Sequence, residues 1–417
     1  MCWSTGPGAL ETMPDSFLVC MEGKSAGAFP RLPKQYAALP VFDYRGRLII
    51  PGLVDLHTHA PQFAFRGMGM DLELLDWLSI HSFPEEAKYR DLAYARKAYG
   101  LFVDHLKRGP NTRVVVFATV HVPATMILMD LLEESGLVSM AGKINMDRNS
   151  PDDLREENAA ASLGATREWL QLCVTRKYLN TGPILTPRFI PSCSDELMRG
   201  LGALRREMNL PVQSHLSENR REVEWVRELC PASESYSAAY RDFDLFGSAT
   251  PQEAAPTVMA HCVWSDESEM ALMAQRGVFA AHCPQSNANL SSGIAPVRQL
   301  FNAGVSVGLG SDIAGGTNTS ILRAMSDAIQ FSKLRQQAIT LEEAFYCGTA
   351  GGGAFFGKAG MGFSGSFEPG YDFDALVIND RALAAPFDLS IRSRLERAVY
   401  LSDSRHIEAK YVKGRLI

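Results

Sequence analysis

The chain contains 8 cysteines but no CxxC pair. Cys2, Cys20, Cys173, Cys193, Cys230, Cys262, Cys283 and Cys347 lie far apart, which argues against a disulfide framework and against a cysteine-cage zinc site. They read as buried or incidental thiols of a reduced cytoplasm. Clustered positive charge is missing too. With a formal net charge of -6 and scattered basic residues, nothing in the chain attracts a phosphate backbone or an anionic membrane. No basic segment leads into an apolar core after Met1, so a secretory leader is not expected. The one long apolar stretch, Val114 to Leu132, is broken by His121, Pro123 and Asp130, and reads as a buried strand running into a helix rather than a membrane span. Low-complexity blocks and internal repeats are absent, and 46% hydrophobic with 21% charged residues is an ordinary globular balance.

What the chain does have is length and a repeating pattern. Its 417 residues suffice for one large catalytic domain and a small appendage. From residue 53 onward, short apolar runs alternate with stretches of helical periodicity, as in a parallel sheet with crossover helices. Eight such runs are found: Leu53 to His57, Val114 to Val120, Val138 to Met146, Pro183 to Phe189, Pro211 to His215, Thr257 to His261, Val278 to His282 and Val305 to Gly310. The expected fold is α/β, a (β/α)8 TIM-like barrel over residues 51–364, with active residues at strand C-termini. Strands Ser16 to Lys24, Tyr44 to Ile50, Phe373 to Ile378 and Ile407 to Ile417 flank it. They are expected to pair into one small β-sandwich-like unit of residues 1–50 and 365–417. Residues 60–112 are longer than a βα connection needs and read as an insertion, a lid or specificity loop.

Polar residues fall where a barrel asks for them. His57, His59, Arg188, His215, His261, His282 and Asp312 each lie at or just past the end of an apolar run. In Pro51-Gly-Leu-Val-Asp-Leu-His-Thr-His59, two imidazoles at i and i+2 share one face of a strand, within reach of one ion. His215 supplies a third imidazole, and Asp312 in Gly308-Leu-Gly-Ser-Asp312 supplies a carboxylate. Three nitrogens and one oxygen suit a single Zn2+, or Fe2+, with a position open for water whose pKa the ion lowers to around 7. A lone HxH arises by chance, but four donors recurring at strand ends do not. His215-Leu-Ser-Glu218 places a carboxylate three residues past a ligand, where Glu218 can carry the water proton to a ring nitrogen. His261 would polarise a developing oxyanion or hold the hydroxide, and Asp312 can pass a proton to departing ammonia. His282 reads as a residue packed behind the metal ligands, while His81, His105, His121 and His406 read as ordinary packed or surface histidines.

These signatures together resemble the amidohydrolase superfamily. Within it, His57-Thr-His-Ala-Pro-Gln-Phe-Ala-Phe-Arg66 and Asp71-Leu-Glu-Leu-Leu-Asp-Trp-Leu78 are similar to the guanine deaminases, as are Phe117-Ala-Thr-Val-His121, Thr186-Pro-Arg-Phe189, Gln213-Ser-His-Leu-Ser-Glu-Asn219, His282-Cys-Pro-Gln-Ser-Asn287 and Gly310-Ser-Asp-Ile-Ala-Gly-Gly316. The resemblance runs from about residue 51 to 380. It implies a small-molecule purine substrate, cytoplasmic purine catabolism and a homodimer. It also implies that Gln62 and Arg188 grip the polar edge of the purine, with Arg188 on the ring carbonyl and Phe189 and Trp77 lining the pocket. Trp77 also suits plain packing and Arg188 a surface ion pair. The N-terminal region is short for that family, which bears on how the small β unit is completed.

The same residues admit rival readings. Two-metal relatives carry a carbamylated lysine at the end of the fourth strand; here that strand ends Leu185-Thr-Pro-Arg188, leaving Lys143 on the third strand as the lysine to check. Other aminated heterocycles, among them cytosine, pterins, 8-oxoguanine and chlorinated triazines, would need the same metal ligands. A catalytically silent barrel serving as a binding protein is the remaining alternative, and it gives no reason for the ligands, the HxxE carboxylate and the late aspartate to stand together.

Overall fold

The computed structural model describes residues 1–251 and 254–417. Strands β1 (Leu53–His59), β2 (Asn111–Phe117), β3 (Val138–Gly142) and β4 (Thr181–Pro183) lie side by side in that order and run parallel. So do β5 (Val212–Leu216), β6 (Thr257–His261), β7 (Phe279–His282) and β8 (Ser306–Leu309). Short segments Ile144–Asn145 and Thr186–Pro187 prolong β3 and β4 and pair with each other, so the two long runs expected there are each interrupted. The two sheets join at both edges. At one, the Leu185 N–H donates to the Pro211 carbonyl and the Gln213 N–H to the Leu185 carbonyl, both at 2.9 Å; at the other, the Asp312 N–H donates to the His57 carbonyl at 2.8 Å. This closes a (β/α)8 barrel.

The strands are apolar on both faces because helices cover the outside and side chains fill the inside. Val54, Val115, Met140, Ile184, Val258 and Phe279 form one buried cluster with Phe355 and Phe356 of the helix Gly352–Lys358. Residues from so many strands meet only inside the cylinder, and they occupy its lower half. The polar strand ends are left at the other mouth. Crossover helices start where the sequence offers caps: Asp91, Asn158 and Ser194 each accept backbone N–H groups of the first turn. Val114 to Leu132 divides into β2 and the helix Val122–Ser135, and among the described residues no helix is long and apolar enough to cross a membrane.

Two expectations change. Of residues 60–112, only 60–91 are excess, a chain of short turns that includes Ala60–Phe65, Leu74–Trp77, Leu78–Ser82 and Phe83–Ala87; Leu92–Arg108 is the first crossover helix. The flanking strands expected at Ser16 to Lys24 and Ile407 to Ile417 turn back on themselves. Phe17–Met21 pairs with Lys24–Phe29 across Glu22-Gly23, and Ile407–Val412 with Arg415–Leu416 across Lys413-Gly414. The φ values are 51° and 78°, then 45° and 76°, the left-handed pair that a two-residue hairpin turn requires and that apolar alternation does not report. A hairpin of Cys2–Gly6 with Ala9–Thr12 precedes them, and Leu48–Pro51 pairs antiparallel with Ala375–Ile378.

Arg113, at the start of β2, is fully buried and joins these outer strands to the barrel. Its Nε lies 2.7 Å from Asp374 and its Nη2 2.7 Å from Asp372, while Nη1 donates to the carbonyls of Met361 and Gly362. Removing one member of such a pair strands a buried charge. Arg113→Met should therefore destabilise the protein by about 3–5 kcal/mol, read as a lowered denaturation midpoint, and a change below about 1 kcal/mol would contradict this account.

Candidate active site

β1 turns His57 and His59 toward one centre; its register against β2 shifts between Asp55 and Thr58, where Leu56 and His57 together face the single residue Val115. The Asp55 carboxylate accepts the N–H of His57 (3.2 Å) and of Ser311 (3.0 Å), fastening the end of β8 beside β1. Gly310 makes that approach feasible: a Cβ there would lie 2.9 Å from the His57 Cβ and 2.7 Å from the Cys283 sulfur. Burial pushes the Asp55 carboxyl up to about 7. Sequence reasoning passed over Asp55, although its place two residues before His57 was the available signal.

His57, His59, His215 and Asp312 converge. The His59 Nε2 is 3.2 Å from the Nε2 atoms of both His57 and His215, and Asp312 Oδ1 is 3.3 Å from His57 Nε2 and 3.5 Å from His59 Nε2. Four ligands around a tetrahedral ion with bonds of 2.0–2.1 Å stand about 3.3 Å apart. The spacing therefore fits a divalent cation, and two overlapping triads, His57, His59 and His215 and then His57, His261 and Asp312, could hold it. Protonation agrees. Burial, reinforced by the neighbouring imidazoles, holds His59 and His215 well below the usual histidine range, so their lone pairs are free. Burial opposes ionisation of Asp312, but His57, His261 and His59 outweigh it and hold its carboxyl well below the usual range. The Nδ1 of His215 lies 2.6 Å from the Arg188 carbonyl, which fixes the proton on Nδ1 and turns Nε2 toward the centre.

The remaining polar groups gather around this centre. Glu218 Oε2 is 3.4 Å from His261 Nε2, and its Oε1 accepts from Ser292 at 3.3 Å. Burial, then Glu222 and Asp312, hold the Glu218 carboxyl well above the usual range, so it carries a proton to give. Glu222 was not singled out in the sequence. It accepts the N–H groups of Glu218 and Asn219 and the Tyr236 hydroxyl, and so fixes the turn that carries Glu218. The Nδ1 of His261 lies 2.8 Å from Asn287 Oδ1, so Nε2 faces the site as an acceptor. Ser217, His261 and Asp312 have φ of 47°, 73° and 44°; each left-handed conformation costs on the order of 1 kcal/mol and aims a strand end inward.

A cavity opens beside these residues, lined by Gln62, Trp77, Arg188, Phe189, Glu218 and Glu222, with Leu74, Leu78 and Leu290 as apolar walls. Gln62 and Arg188 meet through a residue the sequence did not flag: Glu86 accepts from both, and Ser82 joins them. Trp77 both lines the cavity and packs on Phe65, at 5.4 Å between ring centres. Arg188 is buried, which removes the surface ion pair from consideration. His282 does not line the cavity; its carbonyl accepts the Gly310 N–H at 2.9 Å, and its buried imidazole is pushed down to about 3 by burial and then by His261. His81, His105, His121 and His406 also stand outside the lining. Lys143 is paired with Glu156.

The sequence matches the Amidohydrolase family over residues 48–417. The chain belongs to the amidohydrolase family. Among amidohydrolases it is 38% identical over 387 residues to a guanine deaminase of Dictyostelium discoideum, covering 90% of this chain and 84% of that one. A guanine deaminase of Escherichia coli is 33% identical over 421 residues, 98% of this chain and 92% of that protein. The structure of guanine deaminase from C. acetobutylicum with guanine bound in its active site superposes with a TM-score of 0.94 at 45% identity, covering 100% of this chain and 98% of that chain.

Proposed function

We propose that this amidohydrolase is a guanine deaminase, converting guanine and water to xanthine and ammonia. The likeness over the whole chain to an enzyme with guanine in its active site carries the reading. One ion per chain, zinc or else ferrous iron, would be held by His57, His59, His215 and Asp312, and when bound supplies a water acidic enough to attack near neutrality. The protein's own groups do the rest. His261 orients the attacking water through its unprotonated Nε2, and Asp312 takes a proton from it. Glu218 delivers a proton to the ring nitrogen next to the amino-bearing carbon, and a proton returned to the amino group lets ammonia leave. Gln62 and Arg188 hold the polar edge of the base while Phe189 and Trp77 close on its faces.

The barrel of residues 51–364 would carry this chemistry, with residues 1–50 and 365–417 as a supporting β unit. A homodimer in the cytoplasm accompanies the reading; the eight cysteines, all unpaired, suit a reduced compartment. The test is an assay of the metal-loaded protein with guanine. Xanthine and ammonia should form in equal amounts, and no turnover with metal present would sink the proposal. Arg188→Ala should lower kcat/KM for guanine by about 100-fold, since it removes a charged donor and leaves Glu86 buried and unpaired. Unchanged kcat/KM would remove Arg188 from the binding site.

A further inference from the structure

We propose that Glu86 is a positioning residue which, with Ser82, fixes the hydrogen-bonding polarity of the wall that meets the base; this rests on guanine being the substrate. Both residues belong to the short turns between β1 and the first crossover helix, and both are buried, Glu86 to 1% exposure and Ser82 to 0%. Glu86 Oε1 accepts from Gln62 Nε2 and from the Ser82 hydroxyl, each at 3.0 Å, and Oε2 accepts from Arg188 Nη1. The Ser82 oxygen, its proton given to Glu86, accepts from Gln62 Nε2 at 3.1 Å and from Arg188 Nη2 at 3.3 Å. Gln62 Oε1 accepts the Ala314 N–H at 3.2 Å.

The Ser82 oxygen and Glu86 Oε1, 3.0 Å apart, subtend about 60° at Gln62 Nε2, so they crowd one side of the amide nitrogen. A carboxylate cannot donate and a backbone N–H cannot accept, so the amide cannot reverse without breaking its contacts on both sides. Its oxygen and its nitrogen therefore keep the places that the Ala314 N–H and Glu86 assign them. Arg188 keeps N–H donors beyond those engaged. The wall therefore shows the base a fixed amide beside cationic donors, and selects an edge that brings a carbonyl oxygen to Arg188. The Glu86 side chain is what makes this polarity unique, because it accepts from an amide, a hydroxyl and a guanidinium together.

The zinc-loaded wild type is first assayed on guanine; absence of turnover there removes the guanine reading and this inference with it. Given turnover, Glu86→Gln should raise KM for guanine about 10-fold or more and change kcat less, with zinc content unaltered, because the groups it releases bind the non-reacting edge. Glu86→Asp should recover part of the loss. An unmoved KM in Glu86→Gln would overturn the proposal while leaving guanine turnover intact.

Discussion

Glu218→Gln is expected to lower kcat for guanine by about 10²–10⁴-fold, the range of a lost general acid–base group, with bound metal unchanged. The amide is nearly isosteric, so the contact to Ser292 and the turn held by Glu222 can persist. What is lost is a titratable proton 3.4 Å from His261 Nε2, beside the metal ligands. In wild type that proton is retained because burial and two neighbouring carboxylates disfavour the anion. Steady-state kinetics with elemental analysis of the same sample separates the chemistry from metal loss. A variant that keeps its metal and retains more than about one tenth of wild-type kcat would show that Glu218 is not the proton carrier.

Removing the ion should have a still larger effect. Without it, water near the site returns from a pKa of about 7 to that of bulk water, far above neutrality, and guanine turnover should fall below detection after chelation. Added zinc should restore it. Stability should move as well, since an ion that binds only the folded state at about 1,000 times its Kd contributes about 4 kcal/mol. A melting temperature lowered by chelation and restored by zinc is the expected record. His215→Ala should reproduce the chelated state and resist rescue, because it deletes a ligand and also frees the Arg188 carbonyl from its 2.6 Å partner. Full activity of the chelated protein would rule out metal-dependent hydrolysis.

The barrel and the candidate metal ligands were legible in the sequence because both follow local periodicity. Apolar runs marked all eight strands, and the barrel rule turned their last residues into a candidate site, where His57, His59 and His215 and the set His57, His261 and Asp312 form two overlapping groups able to hold a metal ion. Asp55 holds the backbone N–H groups of His57 and Ser311 and was overlooked, since an aspartate before a histidine also serves as a simple loop or strand residue. Glu86 was hidden for a different reason. It lies in a short irregular stretch without usable periodicity, and its partners Gln62 and Arg188 are 24 and 102 residues away in sequence. The hairpins at Glu22-Gly23 and Lys413-Gly414 were read as single strands because alternation continues across a two-residue turn. Arg113 carried no signal at all: its worth comes from Asp372 and Asp374, some 260 residues later.

The central claim, that one metal ion held by these four residues deaminates guanine, is tested most directly by titrating chelated protein with zinc while following the loss of guanine. The account predicts activity that rises linearly and breaks at one ion per chain, with one xanthine and one ammonia formed for each guanine lost. A break at two ions per chain, or no turnover of guanine at any zinc content, would contradict it.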